Sequence, residues 1–181
     1  RSGVNPLEGA AVKRQVKSAI KEYQDKKIVV VFHWNYEFEP YPQPGHRALA
    51  MDLIDMGVYA IIGHHPHIVG SVERYKGHTI AYSLGNWTFS YGRFFRGTLR
   101  LPSASFDQIA VVLDPSGDKV LHGRFCPPER IFYQGSEEIF SPKFSLRPEF
   151  EGFSNKGYVQ WFRLHRHKNV SFPCIIALTR A

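Results

Sequence analysis

Two five-residue apolar runs, Ile28-Val29-Val30-Val31-Phe32 and Val58-Tyr59-Ala60-Ile61-Ile62, have the form of strands buried on both faces of a parallel sheet. Each follows a helical pattern. Val12, Val16, Ala19, Ile20 and Tyr23 recur at helical spacing behind Asn5-Pro6, an N-cap with proline at the first helical position. Lys and Arg occupy the other face, and the basic pair Lys26-Lys27 suits the end of that helix. Leu49, Leu53, Ile54 and Met56 predict a second helix from Pro44 to Met56, stopped by Gly57. The order helix, strand, helix, strand predicts an α/β layer architecture with parallel pairing.

Beyond His67 the pattern changes. Ser71 to Tyr75 and Thr79 to Ser83, joined through Lys76-Gly77-His78, predict a hairpin. Phe106 to Asp114 and Lys119 to Phe125 flank the turn signal Pro115-Ser116-Gly117-Asp118. The second half is therefore expected to be mainly antiparallel β. Trp87 to Pro102, rich in Phe, Tyr, Gly and Arg, reads as a long aromatic-packed loop, and Gly157 to Leu164 and Asn169 to Leu178 as further strands. We expect one domain over residues 1–135, with a basic extension over 136–181 packed on it.

Composition narrows the class without choosing a function. Hydrophobic residues make up 43% and charged residues 22%, which fits a globular domain with a real core. No apolar run is long enough for a transmembrane helix. The first residue is Arg1 rather than Met, which leaves room for an upstream segment. The net charge of +7 is concentrated late: Ser141 to Ala181 carries seven basic residues against two acidic ones, Glu149 and Glu151. That segment suits a polyanion, although a solvated tail explains it as well. Cys126 and Cys174 are far apart and form no CxxC pair; they fit either a disulfide or two buried thiols.

The candidate chemistry lies at the strand ends. His33 closes the first apolar run, and Gly63-His64-His65-Pro66-His67 closes the second. Ligands of open α/β sheets bind at that carboxyl edge. Pro66 stiffens the backbone between His65 and His67. Three imidazoles, from His33, His65 and His67, make a candidate site for a divalent Zn, Mn or Fe ion. A lone histidine at a strand end is more often a hydrogen-bonded structural group; both motifs together, each ending a buried strand, favour the metal. His64 is set aside because strand alternation points it away from His65, and His46, His78, His122, His165 and His167 are read as surface residues. Glu37 is the candidate for proton transfer or for holding a ligand histidine, with a solvated loop acid as the plainer explanation. Asn35 and Asn86, the latter in Tyr82-Ser83-Leu84-Gly85-Asn86-Trp87, are candidate substrate-binding residues.

The stretches HWNYEF (His33 to Phe38) and AMDLIDMGVYAIIGHHPHIVGSVERYKGHTIAYSLGNWTF (Ala50 to Phe89) resemble the bacterial poly-γ-glutamate capsule-biosynthesis family, which is related to the calcineurin-like metallophosphoesterases. The similarity runs from about residue 5 to residue 133. At the first motif the family's usual form is His-Trp-Gly, where this chain has Asn35. The resemblance implies a four-layer α/β/β/α sandwich, of which this chain would be the C-terminal half. It also implies that His33, His65 and His67 help bind a two-metal centre. An N-terminal segment would supply the remaining ligands through Asp-x-His and Asn-His motifs, which this chain lacks.

The function expected from these readings is a metal-dependent, phosphoesterase-type hydrolase in capsule or exopolymer metabolism, acting on an anionic polymer or a phosphoester. The resemblance implies the extracytoplasmic face of the cell. The alternative is an inactive module that binds or assembles a polyanion through the basic segment. A nuclease is a weaker third reading: Arg93, Phe94, Phe95 and Arg96 could stack bases, but loop packing explains them more simply, so nucleic acid is not an expected partner.

Overall fold

The computed structural model describes residues 7–87, 92–94, 97–99, 101–124, 132–134 and 155–169. Helix α1 (Gly9–Glu22) buries Val12 and Val16, and strand β1 (Val29–His33) follows. Helix α2 (Pro44–Asp55) leads to strand β2 (Ala60–His64). Proline stands at the start of α2, where its missing N–H costs nothing. Gly57 follows its end at φ +104°, a conformation that stops a helix cheaply only at glycine. Strands β3 (Val72–Tyr75) and β4 (His78–Ala81) form the expected hairpin.

These four strands make one sheet in the order β1-β2-β4-β3, with β1–β2 and β2–β4 parallel and β3–β4 antiparallel. Its two faces are buried by different partners. Phe32, Ile61 and Ile80 pack under Val12, Val16, Leu49, Leu53 and Ile54 from α1 and α2. Ile62, Val72 and Ala81 pack against Ile109 and Val120, which belong to β7 (Asp107–Val112) and β8 (Lys119–Arg124). Those two strands are antiparallel across the predicted turn, and β9 (Phe132–Gln134) extends their sheet. Each large apolar side chain so covered contributes about 1.5–3 kcal/mol. The architecture is α/β, layered as helices, mixed sheet and antiparallel sheet.

The second sheet does not reach β1. Val31 is 62% exposed, whereas its register partner Ile62 is 8% exposed. A parallel strand normally has both faces covered, so β1 presents an apolar edge among the described residues.

Two expectations are corrected. The stretch from Gly157 to Leu164 is not a strand but part of helix α3 (Asn155–Asn169). Tyr158, Trp161 and Phe162 stand three and four residues apart, so one helical face collects all three rings, and they pack with Tyr41. Within Trp87 to Pro102, expected as a loop, β5 (Gly92–Phe94) pairs with β6 (Gly97–Leu99). The Asn5-Pro6 cap, both cysteines and most of the basic segment over 136–181 lie outside the described residues.

His46, expected at the surface, is half-buried in α2. Its ring stacks on Trp34 at 5.1 Å, and Nδ1 is buried without a hydrogen bond. Burial lowers its pKa below the ordinary 6.5. The unfolded chain then binds more protons than the fold as pH falls below about 6.5, so stability is lost in the acid direction. His46→Phe keeps the stacking and removes the titration. Its melting temperature is expected to gain on the parent as pH drops from about 7 to 5, with a constant difference above about 7; parallel curves across that window would count against a titrating His46.

Candidate functional site

β1 and β2 end side by side, with His33 and His64 as register partners. Because the pair is parallel, both chains leave at the same edge. The two exits are stitched together: Trp34 N–H donates to the His64 carbonyl at 3.0 Å, and Phe38 N–H to the Pro66 carbonyl at 2.8 Å. The loop after His33 therefore lies across the His65-Pro66-His67 turn.

Asn35 holds that loop in shape. Its Nδ2 donates to the carbonyl of Tyr41 at 2.9 Å, and its Oδ1 accepts from Gln43 N–H at 3.1 Å. The backbone here is unusual. Asn35 (φ +73°), Phe38 (+56°), His65 (+104°) and His67 (+58°) are four of the five non-glycine residues with positive φ among those described. Such conformations cost about 1–3 kcal/mol each and persist where the surrounding structure over-determines them, characteristically at functional sites. The fifth, Lys76, sits in the β3–β4 turn.

The turn gathers the imidazoles. The rings of His33 and His65 are 4.7 Å apart, and those of His65 and His67 are 6.0 Å apart. Two imidazoles sharing a metal through bonds of about 2.0–2.1 Å place their ring centres about 5 Å apart, which the His33–His65 spacing matches and the His65–His67 spacing exceeds. Burial, then the neighbouring His33, lowers the pKa of His65, with Glu37 pulling the other way and His67 adding to the fall. The same two leading causes, burial and His33, lower His64. A neutral imidazole is the form that binds metal. Among the described residues, however, no three His, Cys, Asp or Glu side chains converge as a complete ligand set. The donor chemistry fits a divalent metal, and the ligand shell is not closed by these residues.

Asn86 stands behind His67. The His67 Nδ1 and Asn86 Oδ1 are 2.9 Å apart, while Asn86 Nδ2 donates to the carbonyls of His67 and Ser105, each at 3.2 Å. The segment carrying Asn86 is fixed by Leu84 N–H to the Gly63 carbonyl at 3.2 Å and by Ser83 Oγ to the Ile68 carbonyl at 2.7 Å. The structure thus brings His33, His65, His67 and Asn86 together, with exposed Glu37 in electrostatic reach of His65.

The profile described as "Bacterial capsule synthesis protein PGA_cap" matches residues 1–91, half of the 181-residue chain. The chain belongs to this capsule synthesis family. His33, His64, His65 and His67 and all five non-glycine residues at positive φ among those described lie inside the PGA_cap match. The chain is similar to "Capsule biosynthesis protein CapA" of Bacillus anthracis, 45% identical over 65 residues, 36% of this chain and 16% of that protein. It is also similar to "PGA biosynthesis protein CapA" of Bacillus subtilis (strain 168), 43% identical over 65 residues, 36% of this chain and 17% of the relative. A third match, "Uncharacterized protein y4sH" of Sinorhizobium fredii, is 37% identical over 103 residues, 54% of this chain and 20% of that protein. The matched stretches thus span a fifth or less of these relatives.

His64, set aside as a ligand, is the register partner of His33, and burial followed by the neighbouring His33 lowers its pKa. Ser105, whose carbonyl anchors Asn86, carries no motif, and nothing in the sequence marks it.

Proposed function

We propose that this chain carries part of a divalent-metal site in a capsule-biosynthesis protein that acts as a phosphoesterase-type hydrolase on an anionic polymer or a phosphoester. One observation carries the reading: at the open edge of a parallel sheet His65, held at positive φ, has the His33 ring at 4.7 Å and the His67 ring at 6.0 Å. Membership of the PGA_cap family and similarity to two proteins named for capsule or PGA biosynthesis support the biological setting.

His33, His65 and His67 would hold the metal through neutral imidazoles. A bound divalent ion supplies a Lewis acid and lowers the pKa of coordinated water. The chain's own contribution is to fix the imidazoles on a stitched turn and to set the Glu37 carboxylate beside His65, where it can receive or return a proton. The uncovered apolar edge of β1 supports a further segment lying against it and bringing the remaining ligands; that segment would be N-terminal in a longer protein.

The test is an assay of the longest natural form of the protein, loaded with Zn or Mn, against phosphomonoesters, phosphodiesters and poly-γ-glutamate. Turnover that needs metal and disappears in His65→Ala is the expected result. Salt-sensitive polymer binding without turnover, unchanged when the three histidines are replaced, would support the non-catalytic polyanion-binding module instead.

A further inference from the structure

We propose that Asn86 is a positioning residue that clamps His67, fixing its strained backbone and its ring tautomer so that the neutral imidazole keeps its lone pair on Nε2. The inference rests on the metal reading above only for what Nε2 does there. The hydrogen bonds themselves determine the clamp.

A carboxamide can be turned end for end, so its orientation must come from its neighbours. Here the neighbours decide. Two carbonyl oxygens, of His67 and Ser105, lie 3.2 Å from one end of the Asn86 side chain. Carbonyls only accept, so that end is the NH2 group, and both its hydrogens are spent on them. The other end is therefore the carbonyl oxygen, and it lies 2.9 Å from His67 Nδ1. An oxygen acceptor there requires a proton on Nδ1. In a neutral imidazole the lone pair then resides on Nε2. Metal-binding histidines are commonly held in this way, with the second ring nitrogen donating to a fixed acceptor.

The same side chain grips the backbone. His67 sits at φ +58°, a conformation that only a few non-glycine residues adopt without support. Asn86 Nδ2 bonds the carbonyl of that very residue, so one amide holds both the ring and the strained peptide. Its own position is secured by the Ser105 carbonyl and by the turn at Gly85. Gly85 has φ +79°, and a methyl group there would lie 2.6 Å from the Asp107 carbonyl oxygen. This also explains why an Asn follows that glycine: a carboxylate in its place would lose both donations.

The test is histidine 15N–1H correlation spectroscopy on the metal-free chain, at a pH where the imidazoles are neutral. His67 is expected with its proton on Nδ1. Asn86→Asp keeps an acceptor and should keep that tautomer; Asn86→Leu removes it and should shift His67 toward the Nε2–H form. Zinc affinity should fall about 10–100-fold in Asn86→Leu and by less in Asn86→Asp, which keeps the acceptor for Nδ1 but loses both donations. His67 protonated on Nε2 in the parent would overturn the clamp, as would an unchanged tautomer in a folded Asn86→Leu. Should that variant not fold, the parent and Asn86→Asp spectra decide. Failure of the parent to take up zinc, with Nδ1–H intact, would show that this chain alone does not form the metal site and would leave the clamp standing.

Discussion

Gly63→Ala is expected to abolish the folded state or to leave a protein destabilised by about 3 kcal/mol or more. Gly63 lies in β2, and the indole of Trp34 crosses over it to donate from Nε1 to the Tyr82 carbonyl at 3.0 Å. A methyl group at residue 63 would overlap the Tyr82 carbonyl oxygen and Trp34 Nε1, and would lie 2.6 Å from the Tyr82 carbonyl carbon. Two of these atoms are backbone of the segment running on from β4, so the strain cannot be relieved by a rotamer change. Trp34 is 3% exposed and stacks on Phe32 at 4.5 Å, which leaves the indole no room to retreat. Since Trp34 follows His33 directly, the damage reaches the histidine cluster. Gly45→Ala is the control, because nothing lies within 4 Å of the added methyl. Circular dichroism melts should show Gly45→Ala at or above the parent; a Gly63→Ala protein melting with the parent would contradict the packing described.

The second large effect is expected at Arg47. It is 2% exposed on α2 and forks onto Glu73 of β3, with Nη2 to Oε1 at 2.5 Å and Nε to Oε2 at 3.2 Å. Tyr82 donates to the same carboxylate at 2.8 Å, and the Tyr158 ring of α3 covers the guanidinium at 4.9 Å. Burial, reinforced by the charge of Glu73, raises the pKa of the Tyr82 hydroxyl, so it remains a donor. Removing one partner of a buried pair strands the other and costs about 3–5 kcal/mol. For a chain of this size that is a fall in melting temperature of about 10 °C or more for Arg47→Ala. Removing both charges while keeping an acceptor for the Tyr82 hydroxyl, as in Arg47→Met/Glu73→Gln, should recover most of the loss, since no buried charge is then left unpaired. A double variant as unstable as the single one would show that packing of the arginine stem, not the stranded charge, sets the cost.

Much of this fold is legible in the residues because local signals and burial agree. The β-branched runs before His33 and His64 mark strands, of which β2 is interior and β1 an edge, and Pro44 and Gly57 bracket α2 as cap chemistry requires. The hairpin turns at Lys76-Gly77 and Pro115 to Asp118 carry their own signals. Helix α3 is misread because aromatic residues suit strands in general, and only their spacing of three and four marks a helix. The histidine cluster follows from strand ends alone, but its geometry does not. Asn35 shows why: it sits at φ +73°, a conformation asparagine tolerates better than most residues, and no side-chain pattern announces that backbone requirement. Long-range partners such as Arg47 with Glu73, or Asn86 with Ser105, are set by tertiary packing and leave no periodic trace.

The histidine site is tested most directly by elemental analysis of chelator-stripped protein reloaded with Zn or Mn, beside a His65→Ala/His67→Ala variant shown by circular dichroism to be folded. About one to two equivalents of metal in the parent and none in the variant is the expected result. A variant that retains as much metal as the parent would contradict a metal site built on His33, His65 and His67; a parent that retains none would mean that this chain alone does not form it.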